Sequence, residues 1–186
     1  MVEKNEKVSH IFLIDIMYQI SRRMHYLHDM HIAHCNLNLY NILLNVEKKI
    51  IQRVIVKVID FGMSKIKVGS NPKASTDKKV YDIPKYMALE ALKNKFQIMS
   101  ISPFEADVYT FVMVCYKMLS KKDLFGGANS IKKLLRKIEN GERLNLSSNC
   151  DEMSKLIKEC WSLNPLQWPK FVNICEILIE LKEKFM

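Results

Sequence analysis

The stretch DVYTFVMVCYKML, residues 107–119, constrains the fold more than any other. At helical spacing it is apolar nearly all round, and a helix that is hydrophobic on every side has to be buried in a protein core or in a bilayer. Its longest apolar run, Phe111 to Tyr116 and neighbours, falls far short of the ~20 residues needed to span a membrane. Residues 107–119 are therefore expected to form the central helix of a helical core, with other elements packed around it.

Those elements can be placed from periodicity. From Leu13, apolar residues recur at Ile16, Met17, Ile20, Met24 and Leu27, the pattern of one helical face, which ends near Asp29. The runs at 42–44 and 54–59 are β-branched and too short for helices, so they are expected to form two small strands. Residues 65–79, KIKVGSNPKASTDKK, are polar and contain Gly69 and Pro72, which predicts a mobile loop. Amphipathic helices are expected at 131–138, 153–161 and 171–185, punctuated by Gly126-Gly127, Gly141 and Pro165. The fold class is mainly α with a minor β part (α+β), and 186 residues suit one domain.

A formal charge of +9 raises nucleic acid or acidic lipid as partners. The lysines, however, lie in pairs such as Lys48-Lys49 and Lys132-Lys133 along the whole chain, interleaved with acidic residues, and form no basic block. No specific nucleic-acid partner is expected. The five cysteines show no CxxC pair, so reduced, mostly buried thiols are expected rather than zinc. His25, His28 and His31 cluster near the end of the first helix without an acidic or thiol ligand at suitable spacing, and the methionines read as core filler. Asp15 interrupts the first apolar stretch, so no signal peptide and no membrane span are expected, and a cytoplasmic or nuclear location follows.

Five segments, in order, resemble the C-terminal lobe of a eukaryotic protein kinase, nearest the tyrosine-kinase-like branch. MHYLHDMHIAHCNLNLYNILL is similar to the helix and catalytic loop in which His-Arg-Asp precedes an Asn. VKVIDFG is similar to the strand ending in Asp-Phe-Gly, and KYMALEAL to the Ala-Pro-Glu segment. EADVYTFVMV resembles the buried helix, and CWSLNPLQWP the Cys-Trp with its downstream Arg-Pro. The resemblance implies a polar leader at 1–10 and a partial kinase-like domain at 11–186, C-lobe only.

It also implies a site. Asp60 and Asn41 take the metal-ligand positions, a carboxylate and an amide oxygen suited to magnesium, with turn capping as the plainer alternative. Leu43 takes a cofactor-binding position beneath the nucleotide. Asn36 substitutes the base position, where an amide cannot accept a proton at neutral pH. Asn38 substitutes the lysine position, Cys35 an arginine and Ile83 a threonine. Asp107 is expected to be buried and to accept backbone N–H bonds from the catalytic loop. Glu90 is expected to have lost its arginine partner, whose position holds Trp168.

No glycine precedes Gly62, and the lysines before Lys48 are only Lys4 and Lys7. No Gly-rich loop or ATP-binding lysine is therefore expected, and Mg-ATP would bind only where an N-terminal lobe is supplied. The expected function is a degenerate kinase-like domain, a noncatalytic binding or scaffolding module in signalling. Its protein partner would bind the exposed inter-lobe face around Leu43 and the loop from Ile66. The alternatives are the C-terminal part of a longer ATP-dependent serine/threonine kinase and a basic adaptor for nucleic acid or acidic lipid.

Overall fold

The structure is a computed structural model that describes residues 9–47, 53–62, 64–66, 83–88, 92, 103–128, 130–140, 142, 151–160 and 164–185. Helix α1 (His10–Asp29) begins where the Ser9 side chain accepts a hydrogen bond from the Phe12 N–H, which satisfies one of the open donors at a helix start. The helix thus starts at the last residue of the expected leader. Its buried residues include Met17, Ile20 and Met24, all on the apolar face read from the periodicity.

Two antiparallel pairs make up the β part among the described residues. Strand β1 (Ile32–Ala33) pairs with β4 (Lys65–Ile66), and β2 (Ile42–Glu47) with β3 (Arg53–Val58). In the second ribbon Leu44 faces Val56 and Leu43 faces Lys57 across the ladder. The expected loop at 65–79 is corrected at its start, because Lys65 and Ile66 form β4; the rest of that stretch lies outside the described residues. Strand β2 also runs three residues past the expected end, since pairing to β3 extends it through polar Asn45 and Glu47.

Helix α2 (Pro103–Ser120) is the buried helix that the composition demanded, with Asp107–Tyr116 mostly sealed from solvent. Helices α3 (Ile131–Glu139), α4 (Asp151–Glu159) and α5 (Phe171–Lys184) follow it. The most extensive helix contact is α1 against α5, where Ile174, Leu178 and Leu181 are buried. His28 joins α1 to both neighbours, its ring lying edge-on to Phe104 at 4.8 Å and Phe171 at 4.9 Å. Trp168 is buried beside Tyr109, while Glu90 lies outside the described residues. Burial pushes the Cys115 and Cys160 thiols up, in keeping with structural, unreactive cysteines. Among the described residues no helix is long and apolar enough to cross a membrane.

One side chain clamps the helical layer to the ribbon. Gln19 on α1 donates from Nε2 to the Val54 carbonyl oxygen at 2.9 Å and accepts at Oε1 from the Val56 N–H at 3.1 Å. Asp15 Oδ2 holds the same amide from one turn earlier at 2.8 Å. Replacing Gln19 by Leu keeps bulk but leaves a part-buried donor and acceptor of β3 unpaired. We expect Gln19→Leu to lower unfolding stability by about 1–3 kcal/mol in urea titrations followed by tryptophan fluorescence.

Candidate functional site

The loop between β1 and β2, residues 34–41, is fixed from below by one carboxylate. Asp107, buried to 1 % exposure in α2, accepts the His34 N–H at 2.7 Å and the Cys35 N–H at 2.8 Å. Its Oδ2 also accepts from His28 Nε2 at 3.0 Å, so that nitrogen carries the proton. The grip holds Cys35 at a left-handed φ of 62°, a conformation that costs a non-glycine residue about 1 kcal/mol or more. His34 is locked in turn: its Nδ1 accepts from the Asn36 N–H, its Nε2 donates to the Ile59 carbonyl, and its ring packs against Phe61.

Above this foundation, Asn36 Nδ2 donates to Asp60 Oδ2 at 2.8 Å. Asn41 Nδ2 donates to the Asn36 carbonyl oxygen at 2.8 Å and lies 3.4 Å from the same Asp60 oxygen. Asp60 sits at φ 66°, and its Oδ1 accepts the Gly62 N–H at 3.3 Å. A Cβ on Gly62 would come within 3.2 Å of that oxygen, so a larger residue there would push the Asp60 carboxylate aside by a few tenths of an ångström.

The structure thus brings Asn36, Asn38, Asn41 and Asp60 together, with Leu43 on the adjoining strand. Asn38 is 3 % exposed; its amide donates to the Asn36 carbonyl at 2.9 Å and its Oδ1 accepts the Tyr40 N–H, capping the turn at Leu39–Asn41. That is a structural use of the side chain for which the resemblance implies a substituted lysine. Leu43 and Leu44 are each 48 % exposed.

A carboxylate and an amide oxygen are ligand types that suit a hard divalent cation, but here both neighbouring amides present N–H groups to the Asp60 carboxylate. Asn41 turns its amide N–H groups to the Asn36 carbonyl and to Asp60 Oδ2, so ligation by its Oδ1 would require the side chain to present its other face to the ion. These two residues would hold the ion, which when bound supplies positive charge for phosphate oxygens. Asn36 changes the balance, since its N–H already faces the carboxylate oxygen that an ion would share. Among the described residues no cluster of three His, Cys, Asp or Glu side chains is placed to hold a metal.

Sequence reasoning named Asp107 and the asparagines but set His28 aside, although His28 is the third donor to Asp107. The available signal was its position four residues after Met24 on the buried side of α1, one residue before the helix end.

A family description, "Protein tyrosine and serine/threonine kinase", matches residues 1–178. The chain is 35% identical over 188 residues to "Light-sensor Protein kinase" of Ceratodon purpureus, covering 94% of this chain and 14% of that protein. It is 35% identical over 178 residues to "Probable serine/threonine-protein kinase pats1" of Dictyostelium discoideum, covering 94% of this chain and 5% of that protein. It is also 32% identical over 174 residues to "Serine/threonine/tyrosine-protein kinase HT1" of Arabidopsis thaliana, covering 92% of this chain and 40% of that protein. The chain therefore spans well under half the length of each of these relatives.

Removing the Asp107 charge leaves buried N–H groups poorly paired. Asp107→Asn is expected to destabilise the fold by about 3 kcal/mol, and His28→Leu, which removes one donor and keeps bulk, by about 1–2 kcal/mol, both read from urea denaturation midpoints.

Proposed function

The chain belongs to the protein tyrosine and serine/threonine kinase family, and from that premise we propose that these residues act as a noncatalytic binding or scaffolding module. The observation that carries this reading is the Asn36–Asp60 bond. An amide stands at the base position and donates its N–H to the neighbouring carboxylate, so it neither accepts a substrate proton nor leaves that carboxylate free. Loss of a general base alone costs about 10²- to 10⁴-fold in rate, roughly 3–5 kcal/mol of barrier.

Cys35 has no cation to offer a phosphorylated loop, and Asn38 is committed to the turn. The site is thereby suited to keeping a shape, with exposed Leu43 and Leu44 available to a protein partner on the same face.

A second reading, the C-terminal part of a longer ATP-dependent serine/threonine kinase, is favoured by the small share of each relative that the chain spans. Phosphate transfer separates the two. Incubation with radiolabelled ATP and Mg²⁺ is expected to label neither the chain nor an added substrate protein, whereas labelling abolished by Asp60→Ala would overturn the noncatalytic reading.

The amide also makes the site self-sufficient. Asn36→Asp would set two carboxylates within hydrogen-bond distance, where repulsion replaces attraction. We expect this variant to lose about 1–2 kcal/mol of stability in EDTA and to recover much of it in millimolar Mg²⁺, while the unsubstituted chain melts at the same temperature in both. Equal metal response of the two proteins would contradict this.

A further inference from the structure

Where the end of α1 meets the first turns of α2 and α5 lies a pocket of about 310 Å³. It shares no lining residue with the Asn36–Asp60 site. Phe104, Trp168 and Phe171 line it, together with imidazole rings at the end of α1. The walls are already fixed. His28 is held by Asp107 at 3.0 Å and meets Phe104 and Phe171 edge-on, and Trp168 packs against Tyr109 with ring centres 5.5 Å apart. A cavity shaped in advance by such contacts spares a ligand the cost of ordering it. Trp168 is also the residue for which the resemblance implies an arginine, so an indole faces the pocket in place of a charged side chain. The volume is at the lower end of the ~300–1,000 Å³ of ligand pockets, which suits one small molecule rather than a peptide.

Two opposite charges line the same pocket. Glu105 sits in the first turn of α2, and Lys170 is the residue before α5, where its side chain makes no capping bond. Among the described residues neither side chain has an ion-pair partner, and the two do not pair with each other. The other carboxylate of the pocket, Asp29, is matched by His25 at 3.5 Å. Farther along α5 the lysines are used, Lys182 on Asp15 and Lys184 on Glu152. A metal ion does not account for the charges, because among the described residues no three His, Cys, Asp or Glu side chains are placed to hold one.

We propose that this pocket binds an aromatic α-amino acid. The ring lies among Phe104, Trp168 and Phe171, the ammonium meets Glu105 and the carboxylate meets Lys170. A plain aromatic amine or acid leaves one of the two charges unmatched, so the zwitterion is selected. The inference goes beyond the binding-module reading and does not rest on it, since neither Asn36 nor Asp60 takes part.

The test is an NMR titration of the ¹⁵N-labelled chain with L-tryptophan. Tryptamine and indolepropionate, which each lack one charge, and L-alanine, which lacks the ring, serve as comparisons. L-tryptophan is expected to shift the backbone amides of His31, Glu105 and Val172 saturably, with a Kd of roughly 0.1–1 mM. Tryptamine and indolepropionate are expected to bind roughly twofold to fivefold more weakly, and L-alanine not to saturate in the millimolar range. Glu105→Gln is expected to weaken tryptophan and tryptamine by a similar factor and to leave indolepropionate unchanged. Lys170→Gln is expected to weaken tryptophan and indolepropionate and to leave tryptamine unchanged, and unchanged melting temperatures show that both variants fold. No saturable shift, shifts centred outside the pocket, or binding of L-alanine as tight as that of tryptophan would overturn the proposal. So would equal or tighter binding of either single-charge analogue, or variants that bind tryptophan as the unsubstituted chain does.

Discussion

A single buried carboxylate organises the molecule. Asp107 sits in the central helix, almost without solvent contact, and accepts from two loop amides and one histidine ring. Burying a charge is expensive, and three donors of good geometry are what make it tolerable. In return the loop at 34–41 is tied to the buried helix α2. Two of the three donors are backbone N–H groups, so the tie is indifferent to which side chains the loop carries. Cys35 and Asn36 can therefore stand where the resemblance implies an arginine and an aspartate while the backbone keeps its left-handed turn at Cys35.

The consequences appear one layer up. Where two carboxylates would repel and call for a cation, an amide and a carboxylate attract. Asn36, Asn38 and Asn41 converge on one carbonyl and one carboxylate, and nearly every donor in the group has a partner within the loop or on Asp60. Such a network favours a fixed shape over proton transfer.

Much of this was legible in the sequence because it rests on periodicity and on motif order. The α1 face from Met17 to Met24 and the all-round apolar α2 are patterns of adjacent residues, readable without coordinates. The pairing of β1 with β4 was not, since two-residue strands brought together across some thirty residues leave no periodic trace. His28 escaped for the same reason: its partner lies 79 positions away. Asn38 was read as a lost lysine, whereas its position before a turn of Leu39–Asn41 is a local capping signal that points to structure.

The claim at the centre is that an amide of Asn36, and no metal ion, balances the Asp60 carboxylate. The most direct measurement is a titration of the ¹⁵N-labelled chain with Mn²⁺, followed by NMR at the Asn41 side-chain amide and the Gly62 backbone amide. Both signals are expected to stay sharp through the millimolar range. Saturable paramagnetic broadening centred on these two residues would contradict the claim.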